Sequence, residues 1–304
     1  MNDIALHDRF FKSTLGRPDR LGSVLKAFLP SELSASLDLG SLVPLPTESV
    51  GEGLDVSLMD LAFSARFGGE EAEIHLIVEH KSSPDQWVHF QIIHYLCGLW
   101  VRERKEKRSP RPFLPVLFYH GSRPWNTPLR LSEVLRPPSE LFAVNPDFAL
   151  PIIDLHRIRD EEIRKGFRDV ETVLALLSLK HIFDTIEQCA RILLQEIWER
   201  QAPYDTIKPE MDYLSGVYGI TDSQEMKRIL GPIVKEVGMA QGIVDTWMEQ
   251  WLQQGIQQGI QQTQIQMVRR LLQRGGFSLE EIASLVNVDL ARVREIAENT
   301  EKNS

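Results

Sequence analysis

One ten-residue segment, AEIHLIVEHK at residues 72–81, constrains the fold of this chain more than any other stretch. Side chains alternate between the two faces of a β-strand, so Ile77 and Glu79 share one face while Leu76 lies on the other. Because apolar residues occupy both faces, we predict a central strand that is covered on both sides. The strand nevertheless ends in a carboxylate and an ammonium, Glu79 and Lys81, and an apolar interior stabilises neither charge on its own.

The segments around this strand predict an α/β sheet. Residues 54–67 show the alternation of a β-strand, and the sequence GGEE then turns the chain, which predicts an antiparallel pair with residues 72–81. Residues 85–107 predict a long helix that is apolar on one face. Residues 111–121 and 148–155 predict a third and a fourth strand. Strands that alternate with helices favour a mixed sheet flanked by helices.

The remaining segments predict helices and set the domain organisation. Residues 5–37 read as two short helices, and residues 38–53, with their prolines, glycines and serines, read as a loop. After about residue 156 the pattern is helical, including one helix through DEEIRKGFRDVETVLALLSLKHIF. We therefore predict three parts: an α/β core at 1–156, a helical extension packed on it at 157–240, and a Gln-rich helix with a helical hairpin at 241–304.

The C-terminal hairpin follows a QQGI repeat and has the proportions of a helix-turn-helix. Ser278 with Glu281 fits a capping box, and Asp289 fits a second N-cap. Its second helix offers only Arg292 and Arg294 against two glutamates, which is a thin basic face for a DNA groove. Pairing with a second copy of the chain, or a regulatory role, is therefore favoured over reading of DNA.

Charge and cysteine content exclude some classes of protein. The net charge of −9 argues against a protein that coats nucleic acid, although an enzyme needs only one local basic groove. We predict that Cys97 and Cys189 are reduced core residues. No apolar run is long enough for a bilayer, the N-terminus lacks the layout of a secretory signal, and no glycine loop for a nucleotide is present. We expect a cytoplasmic protein without a membrane partner or nucleotide cofactor.

Asp60 is the natural companion of Glu79. It lies on the preceding strand, and a tight turn between the two strands can bring the two carboxylates side by side. Two such carboxylates repel unless a proton or a metal ion lies between them, and oxygen ligands suit Mg²⁺ or Mn²⁺. Lys81 projects toward the same site, where it could orient a water or neutralise charge on a phosphate. The alternative is a strand end that emerges into solvent with hydrated charges.

An acidic residue followed on the next strand by Glu-x-Lys resembles the core of the PD-(D/E)XK nuclease superfamily. The chain resembles in particular the Rpn group, the recombination-promoting nucleases or YhgA-like transposases. The segments that carry this resemblance are HDRFFK at 7–12, SLMDLAF at 57–63, LIVEHKSS at 76–83 and PVLFYHG at 115–121. The proline of the superfamily name is absent, because Met59 precedes Asp60.

The resemblance implies a restriction-endonuclease-like fold and a DNA endonuclease that hydrolyses phosphodiester bonds and can promote recombination. Asp60 and Glu79 would be ligands of Mg²⁺, or of Mn²⁺ or Ca²⁺ in its place, and Lys81 the catalytic lysine. Some members have glutamine at the position of Lys81, so lysine here favours an active enzyme. The rival hypothesis is a catalytically inactive nuclease fold that binds DNA or acts in assembly or regulation.

Three further residues are accessory candidates. Gln91 and Tyr95 lie four apart and share a helix face. They resemble the Q-xxx-Y element of RecB-like nucleases, and the alternative is the polar rim of an amphipathic helix. Asp8 fits either a helix cap, which is favoured, or the acidic residue that the first helix of such nucleases directs toward the metal.

The end of the long helix is strongly basic. Residues 101–112 hold six basic residues against two acidic ones, and such a run could follow a phosphate backbone or could simply be solvated surface. The candidates for DNA contact in this basic segment are Arg102, Arg104, Lys105, Lys107 and Arg108.

Overall fold

A computed structural model gives the architecture of the chain. It describes residues 3–46, 48–49, 57–68, 72–220, 222–239, 242, 245–246, 249 and 264–301. The chain divides into two compact units, of which the first comprises Met1–Thr221 with Pro232–Met239 and the second comprises Asp222–Gly231 with Ala240–Ser304. The boundaries predicted at residues 156 and 240 stay predictions. Most of the QQGI repeat, at 251–263, lies outside the described residues.

The first unit contains a five-stranded mixed sheet and a two-stranded one. The strands are β1 Leu37–Pro44, β2 Glu48–Ser49, β3 Ser57–Leu58, β4 Leu61–Phe67, β5 Ala72–Lys81, β6 Phe113–Tyr119 and β7 Ile152–Asp154. The large sheet has the order β1-β4-β5-β6-β7. β4 is antiparallel to β1 and β5, whereas β5, β6 and β7 run parallel. The predicted α/β class, a mixed sheet flanked by helices, is confirmed.

Helices occur from residue 3 to residue 237, and the last of them has residues in both units. They are α1 Asp3–Leu15, α2 Pro18–Phe28, α3 Ser31–Ser36, α4 Val88–Lys105, α5 Leu131–Leu135, α6 Asp160–Gly166, α7 Val170–His181, α8 Ile186–Arg200, α9 Tyr204–Tyr218 and α10 Ser223–Val237. A 3-10 helix spans Ser139–Val144. α4 makes the crossover from β5 to the parallel strand β6, as the sequence predicts.

β5 is the central strand and is covered on both faces. Ile77 packs against α4 in an apolar cluster that includes Ile92 and Leu96. On the opposite face, Phe11 of α1 stacks on His80 with ring centroids 4.4 Å apart. Residues 74–80 are all buried, which confirms the central strand predicted from apolar residues on both of its faces.

Three local predictions are wrong. Residues 37–44 form the edge strand β1 rather than part of a loop, because pairing with β4 overrides the turn-forming residues and a bulge absorbs the irregular stretch. The single helix predicted after residue 159 is two helices, since the Asp169 side chain caps α7 and starts it anew. Cys97 is an exposed thiol, not a core residue, whereas Cys189 is buried as predicted.

The second unit contains a small helical domain at its C-terminal end. Residues 264–274 form helix α11, followed by α12 Leu279–Val286 and α13 Leu290–Glu301. The capping box of Ser278 and Glu281 is confirmed, and Asp289 accepts the N–H of Ala291 at 2.9 Å as the predicted second cap. Val268, Ile282 and Val293 form its small core. Among the described residues of the whole chain, no helix has the length and apolarity to cross a membrane.

Candidate active site

The register of the sheet brings Asp60 and Glu79 together. Leu61 lies opposite Val78 in the antiparallel pair of β4 and β5, so the next residue of each strand places Asp60 beside Glu79. Asp60 directly precedes β4, and its Oδ2 accepts the backbone N–H of His80 at 2.9 Å. This bond fixes the carboxylate at the C-terminal end of β5. The register brings the backbones of the two residues near each other, and side-by-side carboxylates stay a prediction.

Glu79 and Lys81 form an ion pair at this end of the strand. Lys81 Nζ lies 3.0 Å from Glu79 Oε1 and 3.1 Å from Asp85 Oδ2. Burial and then the charge of Asp60 raise the pKa of Glu79 to about 7, although Lys81 partly offsets them. Burial alone would lower the pKa of Lys81, but Glu79 and Asp85 outweigh it and the pKa is raised. Lys81 is therefore an ammonium at neutral pH.

Helix α1 adds a third carboxylate and a second ammonium. α1 begins at Asp3, so Asp8 lies inside the helix and the favoured capping role is wrong. Asp8 Oδ1 is instead 3.0 Å from His80 Nδ1. Lys12, one turn further along, places its Nζ 3.0 Å from Asp60 Oδ1. Burial would raise the pKa of Asp8, but His80, Lys12 and Lys81 lower it below its ordinary value.

The acidic groups divide between the two faces of the sheet. Glu79 lies on the α4 face, whereas Asp8 and His80 lie on the α1 face. Within the described residues, one group of three ligand-type side chains has atoms within 4.8 Å of one another: Asp8, Asp60 and His80. Asp60 belongs to this group on the α1 face, and its charge also raises the pKa of Glu79 on the α4 face. It is therefore the carboxylate that interacts with groups on both faces of the sheet. Asp60 is thus grouped with Asp8 and His80, whereas Glu79, the second metal ligand predicted from the sequence, is not a member of this group.

A row of buried rings supports His80 from behind. His80 Nε2 lies 2.9 Å from His120 Nδ1, and the two rings stack. His7 contacts His120 edge to face and its Nδ1 lies 2.5 Å from the hydroxyl of Tyr213 on α9. Burial, with His80 and His7 nearby, lowers the pKa of His120 well below its ordinary value. His120 is thus a packed, neutral ring, and the helical extension reaches the site through Tyr213.

Gln91 and Tyr95 both lie on α4, but their side chains have different surroundings. Gln91 Oε1 accepts a hydrogen bond from Lys81 Nζ at 2.7 Å, which places it beside the candidate site. Tyr95 is fully buried in the apolar cluster under α4 and its hydroxyl donates to the carbonyl of Pro46. Burial raises the pKa of Tyr95 to about 12. Packing accounts for every contact of Tyr95 described, whereas Gln91 holds the lysine.

The basic segment lies at the other end of α4. Lys105 ends the helix fourteen residues after Gln91, which corresponds to about 21 Å along the axis. Glu103, within this segment, contacts His75 near the beginning of β5. The structure therefore does not bring Arg102, Arg104, Lys105, Lys107 and Arg108 together with the carboxylates, and their contact with DNA stays a prediction.

Three residues of the site were not among the sequence candidates. Lys12 could have been found, because it lies four residues after Asp8 and would share its face of a helix. Asp85 follows Lys81 in the loop after β5, and nothing in its local sequence indicates the ion pair. For His80, strand alternation predicts a side chain on the face opposite Glu79, but it does not show that α1 supplies Asp8 there.

The fold and the site define an α/β protein with an acidic, lysine-containing cluster at the end of its central strand. The chain belongs to the family described as "Putative transposase, YhgA-like", whose model matches residues 5–206. This membership confirms the family resemblance that the sequence motifs indicate.

Curated relatives carry nuclease names. The chain is 33% identical to "Recombination-promoting nuclease RpnD" of Escherichia coli O157:H7 over 58% of this chain and 67% of that protein. It is 28% identical to "Recombination-promoting nuclease RpnC" of Escherichia coli K12, over 58% of each chain. It is 26% identical to "Inactive recombination-promoting nuclease-like protein RpnE" of the same strain, over 59% of each. The chain thus spans about three fifths of the length of RpnC and RpnE. No solved structure matches the chain.

Proposed function

We propose that this protein is a divalent-metal-dependent DNA endonuclease that hydrolyses phosphodiester bonds and promotes recombination. One observation carries the proposal: the charge of Asp60, which directly precedes β4, acts on Glu79 of β5, and the ammonium of Lys81 lies 3.0 Å from Glu79 Oε1. The names of RpnD and RpnC support the reaction class. Buried carboxylates beside an ammonium carry a desolvation penalty at a strand end, and this penalty favours a functional role over a structural one.

The residues present fit a divalent cation. Burial raises the pKa of Glu79, and the charge of Asp60 raises it further, so a cation near the two carboxylates would lower their electrostatic cost. Carboxylate oxygens suit Mg²⁺, and Mn²⁺ or Ca²⁺ would accept the same donors. Asp60 and Glu79 would hold the ion, with Asp8 within reach of Asp60. When bound, such an ion neutralises charge on the scissile phosphate.

Lys81 acts as a fixed positive charge in this proposal. Its raised pKa keeps it protonated, so it does not accept a proton from water at neutral pH. Its three partners, Glu79, Asp85 and Gln91, hold the ammonium in one place. A preorganised charge of this kind stabilises the negative charge that develops on a phosphate during hydrolysis. Of the two roles open to Lys81 from sequence, charge neutralisation is the one that its surroundings favour.

Nicking of supercoiled plasmid tests the proposal. We expect the wild type to nick DNA with Mg²⁺ or Mn²⁺ and not with EDTA, and Lys81→Ala to lose roughly 100-fold or more in rate. Lys26→Ala, which removes an exposed lysine of α2, is the matched control and keeps the wild-type rate. Equal nicking by all three proteins after identical purification would show that the activity belongs to a contaminant.

A second candidate is a catalytically inactive nuclease fold that works in DNA binding, assembly or regulation. The name of RpnE, an inactive relative, favours it. In that case the wild type would fail to nick DNA under every metal condition while the protein remained folded.

The endonuclease proposal also includes DNA as a partner, pairing with a second copy of the chain through the C-terminal helices, and a cytoplasmic location.

A further inference from the structure

Lys12, the last residue of the segment HDRFFK, is the charged group of the site to which the proposed reaction assigns no role. Its side chain is 39% exposed, whereas that of Lys81 is 17% exposed. Its Nζ lies 3.0 Å from Asp60 Oδ1, and it is the one ion-pair partner described for this lysine. Lys81, by contrast, is held by three oxygen-bearing side chains. The two ammoniums of the site therefore differ in how firmly they are bound.

Each oxygen of Asp60 already has a partner while Lys12 is in place. Oδ2 accepts the backbone N–H of His80 at 2.9 Å, and Oδ1 contacts Lys12 Nζ. A divalent cation that binds Asp60 through Oδ1 would therefore lie beside the ammonium of Lys12. Two cations that share one carboxylate oxygen repel each other strongly in a partly buried site. Lys12 and a divalent ion thus compete for the same atom.

A lysine displaced from Asp60 stays close to the site. Lys12 lies one helical turn from Asp8, and its charge acts on Asp8 as well as on Asp60. Its flexible stem and partial exposure allow the ammonium to turn toward solvent, where a nucleic acid backbone would approach the metal. A phosphate is the anion that such an approach supplies.

We propose that Lys12 is an exchangeable cation: it balances Asp60 in the metal-free protein and contacts a backbone phosphate of the nucleic acid once a divalent ion has taken its place. The inference rests on the proposed function, because it needs the divalent site and the nucleic acid substrate. It assigns to Lys12 a substrate-binding role that is separate from the charge supplied by Lys81.

Two measurements on Lys12→Ala test this, and they are expected to move in opposite directions. Calorimetric titration with Mn²⁺ in the absence of DNA should show binding about threefold tighter than that of the wild type, since the competing ammonium is gone. Anisotropy of a labelled duplex in Ca²⁺ should show weaker binding, with a log–log salt slope smaller by about one. Lys12→Arg keeps the charge and should behave as the wild type in both, as should Lys26→Ala.

A purely structural lysine would give a different pattern. Lys12→Ala would then lower the melting temperature. It would also weaken Mn²⁺ binding or leave it unchanged, and it would leave the salt slope of DNA binding unchanged. Mn²⁺ binding that is not tighter, or a salt slope that does not change, overturns the inference. If the wild type binds Mn²⁺ and nicks DNA, such a result leaves the proposed function standing. If the wild type takes up no Mn²⁺, both the inference and the proposed function fail.

Discussion

The two ends of β5 both carry charged side chains in buried positions, but they balance the charge differently. At the N-terminal end, Glu103 is 2% exposed and has three nitrogen atoms within hydrogen-bond or ion-pair distance. These are His75 Nε2 at 3.0 Å, the Arg111 guanidinium at 3.2 Å and the Arg111 backbone N–H at 3.1 Å. Burial lowers the pKa of His75, so its ring is neutral and Arg111 provides the balancing charge. The Arg111 guanidinium thus balances the carboxylate charge, although Glu103 Oε1 and both ring nitrogens of His75 form no hydrogen bond in the part of the chain that the structure describes.

The C-terminal end has more negative than positive side chains. Four carboxylates gather there against two ammoniums: Asp8, Asp60, Glu79 and Asp85 against Lys12 and Lys81. Burial first, and the charge of Asp60 second, raise the pKa of Glu79 to about 7, and the second cause reflects that excess. Comparison of the two ends shows why burial alone does not identify a functional site. What distinguishes the C-terminal end is charge that the chain itself does not neutralise.

The largest expected effect lies at the N-terminal end of β5, called the balanced end because Arg111 balances the charge of Glu103. Glu103→Gln removes a carboxylate that pairs with Arg111, and we expect the free energy of unfolding to fall by about 3 kcal/mol, because the half-buried guanidinium loses the buried one of its two described carboxylate partners. Urea denaturation measures this change. Glu73→Gln, whose exposed carboxylate also contacts Arg111, is the control and should cost under about 1 kcal/mol. An equal loss in both variants would contradict the view of Glu103 as the buried anchor.

The stability contributed by the C-terminal end of β5, the unbalanced end, should change with pH in the opposite sense to that of a structural ion pair. The folded pKa of Glu79, about 7, exceeds its ordinary value of 4.5, so the folded state holds a proton that the unfolded state has lost. Wild-type stability relative to Glu79→Gln should therefore fall as pH rises from about 4.5 to 7, by up to about 3 kcal/mol, and stay low above that.

Denaturation of both proteins in EDTA between pH 5 and 8 checks this expectation, and Mg²⁺ at pH 8 should restore part of the wild-type loss. Glu73→Gln controls for general charge effects on the same strand, because Glu73 is exposed and lies at the other end of β5. A wild type that gained stability relative to Glu79→Gln as pH rose would show that Glu79 is satisfied by its neighbours.

The smallest effect concerns the basic segment near the balanced end. Lys105→Ala should reduce the log–log salt slope of DNA binding by about one and leave the cleavage rate at saturating DNA unchanged, because Lys105 lies about 21 Å along α4 from Gln91. Salt-dependent anisotropy and single-turnover nicking separate the two quantities. A slower rate at saturating DNA would place the segment beside the chemistry and erase the contrast between the two ends.

Local patterns in the sequence predict the central strand and its two terminal charges. Apolar residues on both faces of β5 predict its burial, and the alternation around Asp60 predicts the strand beside it. β1 is missed because the turn-forming residues in LDLGSLVP outweigh its weak strand pattern, and only pairing with β4 makes it a strand.

The α1 side of the site could not be predicted in the same way. That Asp8 meets His80 depends on how α1 packs across the sheet, through Phe11 stacked on the His80 ring, and no spacing along the chain encodes that contact. The N-cap preference of aspartate therefore favoured the wrong role for Asp8. Long-range packing, rather than residue type, decides which acidic groups join the site.

The most direct test of the account is calorimetric titration with Mn²⁺ of three metal-stripped proteins: wild type, Glu79→Gln and Glu73→Gln. The two glutamates lie on one strand and differ in which end of β5 they occupy. We expect one divalent site in the wild type, its retention in Glu73→Gln, and a loss of at least about tenfold in affinity in Glu79→Gln. Unchanged binding in Glu79→Gln, or no binding in the wild type, would contradict a metal centre at the C-terminal end of β5.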